Sequence, residues 1–475
     1  MFASQTPTTS HSRPPATCSP PAGGGDQPEP ASVRVRAGSR SFRRRAKVAL
    51  VLLLALTPAV AIQAEDWRQF RGPGGAASGG TQDLPVQWSA TSNLAWQADL
   101  PGPGSSSPIL VGERIFVTSY TGYGLSKDEP RTASKLSRQV VCLDRATGKI
   151  LWTREFANQV REDDYRGYLT EHGYASSTPT SDGTRVYAFL GKSGVVALDL
   201  DGKVLWQVEV GQESSNRRWG SAASLVVSSQ SLFVNASEES QTVYALDPET
   251  GKQQWKATGS ALELAYGTPA LVELGDGRTD LVLAAPGEIW GLNAQTGKLR
   301  WFAEHTLTGN VCPSVVVHEK TAFVFGGFGS AGSFAVTLGG EGELGAKAKP
   351  WTSRTSSYVA TPVYHEGRLY WVDDRGQAHC CDANTGELVY RERVPDLDTG
   401  GRPVYASPVV SAGRLYVPTR WNGVLVVAAG TRYEELARNR FADDDSEFNA
   451  TPAIADGALY LRSNKRLYRV QASGQ

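Results

Sequence analysis

The chain repeats one pattern of apolar and polar positions eight times. In each unit a small or hydroxyl residue, usually followed by Pro, precedes a short apolar alternation, a polar turn and a second apolar alternation. The first spacing between units is 71 residues and the others are 44 to 49; the units begin at Ser107, Thr178, Ala222, Thr268, Cys312, Thr361, Ser407 and Thr451. Strict alternation predicts β-strands, and a constant period of this size is typical of repeat architectures.

The second half of most units predicts a tight turn that leads to a large aromatic residue. In the first unit Asp144 and Gly148 form the turn before Trp152; related segments reach Trp206, Trp255, Trp301 and Tyr390, whereas the fifth and seventh units keep only fragments around Trp351 and Gly430. Asp can hydrogen-bond its own backbone two residues on, and Gly supplies positive φ, so the turn joins antiparallel strands in a fixed register. The aromatic ring is expected between neighbouring sheets.

Four short strands per unit can bury their apolar faces only against the units on either side, which predicts an all-β, eight-bladed β-propeller of four-stranded antiparallel blades. The eighth unit, residues 451–471, supplies only three strands. An isolated strand pattern at residues 93–98 precedes the first unit. The ring is therefore predicted to be closed by an N-terminal strand, within a single propeller domain at residues 65–475.

Residues 1–64 are predicted to be a disordered basic extension plus a signal peptide. A stretch rich in Pro, Ser and Gly ends in basic residues at 43–47, and residues 48–62 form an apolar run of signal-peptide length. Small residues at Ala59, Ala61 and Ala64 offer cleavage sites, although retention as an uncleaved anchor stays open. No Cys follows the run, so we expect no lipid anchor and a periplasmic or secreted protein.

The net charge of the chain is zero, but eight of the 48 Lys and Arg residues and two of the 48 Asp and Glu residues lie in the first 64 positions. The remainder is therefore negative. A negatively charged domain does not attract nucleic acid, so nucleic acid is not expected as a partner. The protein is expected to be a monomer.

The repeats resemble those of the quinoprotein-type, PQQ-like propellers. The opening segment Asp66–Pro73, residues 171–179 around His172, and residues 219–223 after Trp219 resemble secreted members that are numerous in planctomycete-type bacteria, many of them described as BamB-like. This resemblance implies a propeller that binds an envelope protein. Propellers host enzymes and binding scaffolds alike, so the fold alone does not decide the function.

The first unit is enlarged by two insertions, residues 121–138 and 155–174, which are predicted to form a ligand rim together with part of the third unit. Aromatic rings among charged residues combine contact area with polar groups, which suits recognition. The alternative is that the insertions only cap one face. The ligand would be an envelope protein, a small molecule or a glycan, and the candidate residues are Tyr123, His172, Tyr174, Trp219, Asn235 and Glu238.

The pair Cys380-Cys381 bears on a quinone cofactor, because the resemblance extends to PQQ-dependent alcohol dehydrogenases with a disulfide between adjacent cysteines. Both thiols are predicted to lie inside a strand, where adjacent side chains point to opposite faces. No metal-ligand set or catalytic residue is recognisable, so we expect no metal and no PQQ. The favoured hypothesis is a non-catalytic binding scaffold; the alternative is a PQQ-dependent dehydrogenase of alcohols or sugars.

Overall fold

A computed structural model of the chain describes residues 66–126, 132–326, 328, 331–397 and 401–473. The predicted extension and signal peptide lie outside the described residues. Eight β-sheets, each built mainly from four antiparallel strands, form the blades of a propeller, as the repeat pattern predicts. Among the described residues, no helix has the length and apolar character needed to cross a membrane.

Blades 1 to 4 follow one another along the chain. Blade 1 contains β2 (Ile109–Val111), β3 (Arg114–Thr121), β4 (Ser137–Asp144) and β5 (Ile150–Ala157). Blade 2 contains β6 (Thr180–Ser181), β7 (Arg185–Phe189), β8 (Val195–Asp199) and β9 (Val204–Val208). Blade 3 contains β10 (Val226–Val227), β11 (Leu232–Ala236), β12 (Thr242–Leu246) and β13 (Gln253–Thr258). Blade 4 contains β14 (Ala270–Gly275), β15 (Arg278–Ala285), β16 (Glu288–Asn293) and β17 (Leu299–Glu304).

Blades 5 to 7 repeat this order, and blade 8 ends with three consecutive strands. Blade 5 contains β18 (Val316–His318), β19 (Thr321–Gly326), β20 (Gly332–Thr337) and β22 (Thr352–Ser353); β21 (Gly342–Glu343) pairs in parallel with β17 as a fifth strand of blade 4. Blade 6 contains β23 (Val363–His365), β24 (Arg368–Val372), β25 (Gln377–Asp382) and β26 (Leu388–Arg393). Blade 7 contains β27 (Val409–Ser411), β28 (Arg414–Pro418), β29 (Val424–Ala428) and β30 (Glu435–Asn439). Blade 8 contains β31 (Ala453–Ala455), β32 (Ala458–Arg462) and β33 (Arg466–Gln471).

The fourth strand of blade 8 comes from the N-terminal side of the propeller. Strand β1 (Leu94–Asp99) pairs antiparallel with β33, from Leu94 opposite Val470 to Asp99 opposite Arg466. The predicted closure by an N-terminal strand is confirmed. Because the first and last parts of the chain share one sheet, blade 8 depends on segments that are far apart in sequence.

Helical segments in the described chain are short and lie in loops. Two are α-helical: α1 (Leu169–His172) and α2 (Ser237–Ser240). Five are 3-10 turns, at Pro73–Gly75, Ala133–Lys135, Gly191–Ser193, Ser260–Leu262 and Ala346–Ala348. Helix α1 belongs to the second insertion of blade 1 and lies on the propeller axis.

The repeat aromatic residues connect each blade to the next one. Each of five Trp side chains donates its indole N–H, at 2.9–3.1 Å, to a backbone carbonyl in the turn of the following blade. The Gly of that turn has φ between 70° and 84°, and a Cβ there would overlap the indole ring. The pairs are Trp96 with Gly148, Trp152 with Gly202, Trp206 with Gly251, Trp255 with Gly297, and Trp351 with Gly386. The predicted position between sheets is confirmed.

Trp301 departs from this arrangement. The fifth unit lacks the Asp and Gly turn, and the Trp301 indole donates instead to Asp280 within the same blade, at 2.9 Å. Both side chains are fully buried, and Arg278 forms an ion pair with Asp280 at 2.9 Å. The buried carboxylate of Asp280, which accepts from the Trp301 indole and pairs with Arg278, thus takes the place of the turn that the fifth unit lacks.

Candidate functional site

A ring of hydroxyl side chains surrounds the propeller axis, one from each blade. The backbone N–H of each member donates to the hydroxyl oxygen of the next, and seven such bonds of 2.9–3.0 Å connect blade 1 through to blade 8. We call this set the hydroxyl belt; its members are Ser107, Thr178, Ser224, Thr268, Ser314, Thr361, Ser407 and Thr451. In two blades the belt residue lies two positions after the small residue that marks the repeat, at Ser224 and Ser314.

The belt forms part of the wall of a cavity of about 170 Å³ on the axis, the axial cavity. Six aromatic side chains line it: Phe70, Tyr168, Trp219, Tyr266, Tyr358 and Tyr405. Tyr168 and Trp219 are in contact, with ring centroids 4.3 Å apart, and Trp219 stacks on Tyr266 at 5.7 Å and 25°. An apolar wall with polar groups at a few fixed positions is the usual composition of a small-molecule site.

The N-terminal segment crosses the axis and places Phe70 against the axial cavity. On one side of Phe70, the carbonyl of Arg68 accepts the N–H of Ser181 from blade 2 at 2.9 Å. On the other side, the guanidinium of Arg71 donates to the carbonyl of Thr361, where blade 6 begins, at 2.9 Å. Phe70 lines the axial cavity and also a second cavity beside it. The ring therefore separates the two spaces.

Arg402 lies between two of the tyrosines. Its guanidinium carbon is 5.0 Å from the ring centroid of Tyr168 and 4.7 Å from that of Tyr358. The guanidinium also forms an ion pair with Asp374 at 3.0 Å. The charge of Arg402 is therefore balanced within the protein, and its position over the rings is a cation–π contact.

Arg420 forms a second cluster of the same kind. It is buried, with its guanidinium over Tyr405 at 4.7 Å and over Trp421 at 4.4 Å. Glu171 and Glu447 each form an ion pair with it at 2.7 Å. Two carboxylates thus surround one guanidinium, which leaves this cluster with a net negative charge.

Two of the predicted rim residues line the axial cavity. Trp219 forms part of its aromatic wall, and His172 comes from the end of α1. Burial lowers the pKa of His172 to about 4, so the imidazole is neutral at neutral pH. Its Nδ1 shares a hydrogen bond with Ser176, whose hydroxyl also donates to the His172 carbonyl at 3.2 Å.

Tyr123 and Tyr174 lie instead in a buried cluster beside the cavity. The Tyr123 hydroxyl accepts the backbone N–H of Tyr165 at 3.1 Å, and the Tyr174 hydroxyl donates to the carbonyl of Asp163 at 2.7 Å. The first bond holds one insertion of blade 1 against the other, and the second bond lies within the second insertion. The described parts of the insertions thus pack together, and they bring α1 and Tyr168 to the axis.

Asn235 and Glu238 are also buried, behind the aromatic wall. The Asn235 amide donates to the carbonyls of Ala265 and Gly267, at 2.8 and 3.1 Å. One carboxylate oxygen of Glu238 accepts the hydroxyl of Tyr266 at 3.1 Å, and burial raises the pKa of this carboxyl. Both residues position the segment that carries Tyr266 and do not form an exposed rim.

Four further side chains that line the axial cavity were not among the predicted site residues: Tyr266, Tyr358, Tyr405 and Asn449. A signal for them is present, because each comes two or three positions before a hydroxyl residue and Pro that open a blade, as in Tyr405-Ala-Ser407-Pro. Residues at that offset point to the axis in several blades. Reading the offset across all eight repeats would have selected these four side chains.

Cys380 and Cys381 lie far along blade 6, in its third strand, and not at the axial cavity. Both are free and buried. Cys380 packs in the core that includes Tyr390, whereas Cys381 packs in the core that includes Trp351. Their side chains therefore occupy opposite faces of β25, as expected for neighbours in a strand.

No cluster of three or more His, Cys, Asp or Glu side chains close enough to share an ion is present in the residues that the structure describes.

The eight blades and their Asp, Gly and Trp turns define the chain as a PQQ-like repeat propeller. It belongs to the family described as outer membrane protein assembly factor BamB, whose model matches residues 122–263, 217–340 and 339–435.

Individual relatives include both a BamB and an enzyme. The outer membrane protein assembly factor BamB of Yersinia pestis is 24% identical over 344 residues, which are 61% of this chain and 82% of the relative. The polyvinylalcohol dehydrogenase of a Pseudomonas species is 26% identical over 226 residues, 34% of this chain and 35% of the enzyme. The chain therefore matches about a third of that dehydrogenase.

Two solved structures share the fold. BamB from Moraxella catarrhalis superposes with a TM-score of 0.55 at 15% identity, covering 80% of this chain and 98% of that structure. The quinohemoprotein alcohol dehydrogenase from Comamonas testosteroni has the same TM-score at 12% identity, covering 86% of this chain and 81% of the enzyme. At these identities the likeness concerns the fold alone.

Proposed function

We propose that the protein is a non-catalytic binding propeller of the cell envelope, periplasmic or secreted, which holds a partner protein at the mouth of the axial cavity. The observation that carries this proposal is the set of exposed and half-exposed aromatic residues beside the two arginine clusters. Trp421 is 37% exposed and lies on Arg420. Phe328 is 53% exposed and contacts Tyr358 at 5.7 Å.

This composition is the one found where protein interfaces concentrate their binding energy. Trp, Tyr and Arg are enriched at such positions, and scattered aliphatic residues are not. Arg402 and Arg420 are already fixed by carboxylates and rings, so little side-chain freedom is lost when a partner binds over them. The name of the BamB relatives, an outer membrane protein assembly factor, supports a role in protein interaction and an exported location.

Substitution of Trp421 by Ala is expected to weaken partner binding by about thirtyfold or more, because truncation of an interface Trp commonly removes at least about 2 kcal/mol. The partner is first captured from native envelope extract by a photo-crosslinker placed at position 328, beside Tyr358 at the same mouth, so that Trp421 is kept. It is then purified, and its Kd is measured against the wild type and the variant. The matched control is Leu299→Ala, an apolar side chain 49% exposed on the outer strand β17.

Equal affinity of the wild type and Trp421→Ala would contradict an interface at this mouth. Weaker binding by Leu299→Ala, with Trp421→Ala unchanged, would place the interface on the outer strands instead.

A PQQ-dependent dehydrogenase is the second candidate, favoured by the matched segment of polyvinylalcohol dehydrogenase and by an aromatic cavity on the axis. The residues at the cavity do not fit this quinone. The three carboxylates of PQQ would need cationic partners in the cavity. Arg402 is already paired with Asp374, and Arg420 is already paired with both Glu171 and Glu447. We therefore propose that the protein uses no quinone cofactor.

Titration with PQQ and calcium is expected to give no binding of about micromolar strength, and dye-linked assays with alcohols and sugars no turnover. Quenching of tryptophan fluorescence and calorimetry measure the first, and dye reduction measures the second. Micromolar or tighter binding, together with turnover that a single Asp substitution abolishes, would replace the scaffold proposal by the dehydrogenase.

A further inference from the structure

We infer that the axial cavity binds one neutral pyranose ring, held by the hydroxyl belt at its edge and by the aromatic wall at its face. This site goes beyond the proposed protein interface, which lies at the mouth around Trp421. The inference rests on four features of the cavity: unused hydroxyl protons, one unpartnered buried hydroxyl, apolar ring surface and guanidinium groups that are already paired.

The belt hydroxyls have protons to donate. Seven of them accept a backbone N–H from the preceding blade, which occupies the oxygen but leaves the hydroxyl proton unused. In the described part of the chain these protons have no protein acceptor. Because the belt side chains line the axial cavity, the protons are available to a ligand rich in oxygen acceptors.

Ser107 marks the one break in the belt. The bonds run from Ser107 through seven blades to Thr451, but the Ser107 hydroxyl at the seam has no partner among the described residues. Its residue is only 1% exposed and its side chain lines the cavity. A buried hydroxyl without a partner is costly, and a polar atom of a ligand in the cavity removes that cost.

The aromatic wall supplies apolar surface for the C–H groups of a ring. Trp219 and Tyr266 stack on each other, and Tyr168 closes against Trp219. A pyranose presents C–H groups on its face and hydroxyls around its edge. It therefore matches a cavity in which rings form one part of the wall and hydroxyls another.

The charges favour a neutral ligand. A cation would meet ring faces that Arg402 and Arg420 already occupy, and an anion would meet guanidiniums that carboxylates already neutralise. The neutral imidazole of His172 adds no charge. The volume of about 170 Å³ is below the roughly 300–1,000 Å³ of sites for drug-sized ligands, which suits a single ring.

The test uses D-glucose, D-galactose, D-mannose and N-acetyl-D-glucosamine with the intact mature chain. Ligand-observed saturation-transfer NMR detects binding, and calorimetry with Trp fluorescence measures Kd. At least one of these sugars is expected to bind saturably, with glucuronate and glucosamine at least about tenfold weaker because they carry charge.

Ser107→Ala is expected to weaken binding of that sugar about tenfold without lowering the melting temperature, because the Ser107 hydroxyl bonds to nothing in the described chain and its removal relieves a buried unpaired group. The matched control is Ser177→Ala, which removes another buried hydroxyl without a partner that does not line the axial cavity. This variant is expected to bind the sugar as the wild type does.

The inference is overturned if none of the four sugars binds saturably up to about 50 mM, well above the millimolar Kd of weak complexes. It is also overturned if Ser107→Ala binds the sugar unchanged. Trp421→Ala separates this site from the protein interface, because it is expected to retain sugar binding even where it has lost the partner.

Discussion

Deletion of residues 1–100 is expected to produce an aggregating protein, whereas deletion of residues 1–65 is expected to leave the melting temperature almost unchanged. The longer deletion removes β1, which leaves β33 as an unpaired edge and uncovers the apolar residues that β1 packs against. Melting by circular dichroism and sedimentation at several concentrations measure both effects.

An intermediate deletion of residues 1–92 separates two contributions to this effect. It removes the buried Trp67 and Trp88 and the bonds of Arg71, but retains β1. We expect a lower melting temperature without aggregation. If the 1–92 and 1–100 deletions melt and sediment alike, the ring does not depend on the β1–β33 pair.

Substitution of Trp301 by Ala is expected to lower the free energy of unfolding by about 3–5 kcal/mol, the usual cost of truncating a fully buried Trp. The cavity would lie between blades 4 and 5, among residues such as Val282, Ala303 and Val336. Asp280 would lose its indole donor but keep the ion pair with Arg278. Urea denaturation followed by fluorescence measures the change.

Trp421→Ala provides the control, since the same atoms are removed from a side chain that is 37% exposed. We expect a change within about 1 kcal/mol. A comparable loss for both variants would mean that the position of Trp301 between blades does not decide its contribution.

The architecture could be predicted because each element repeats. The number of blades and the closing strand could be predicted from two repeated features. One is the set of eight Ser, Thr or small residues before strand pairs, and the other is the set of five turns in which Gly precedes a bulky ring. Strand β21 could not be predicted, because Gly342 and Glu343 have no apolar alternation and pair with β17 only through the backbone. A strand held by main-chain bonds alone leaves little trace in side-chain pattern.

The site could be predicted only in part. Trp219 and His172, which were predicted as rim residues, line the axial cavity. The reason for choosing them was that aromatic and polar residues next to an enlarged repeat suggested a functional loop. Tyr123, Tyr174 and Asn235 are also aromatic or polar residues, but their side chains hold loops together. Sequence does not distinguish these roles, because a Tyr hydroxyl satisfied by a distant carbonyl looks like one that faces a ligand.

The direction of the closing strand also determines how the ring opens under load. The start of β1 lies beside the end of β33: the N–H of Gln471 donates to the carbonyl of Asn93 at 3.0 Å, and Leu94 faces Val470. A force that pulls Asn93 and Gln471 apart therefore loads the hydrogen bonds of the pair one after another and not all together. The strand pair that completes the ring is thus loaded by such a force in the unzipping direction, starting where Asn93 and Gln471 meet.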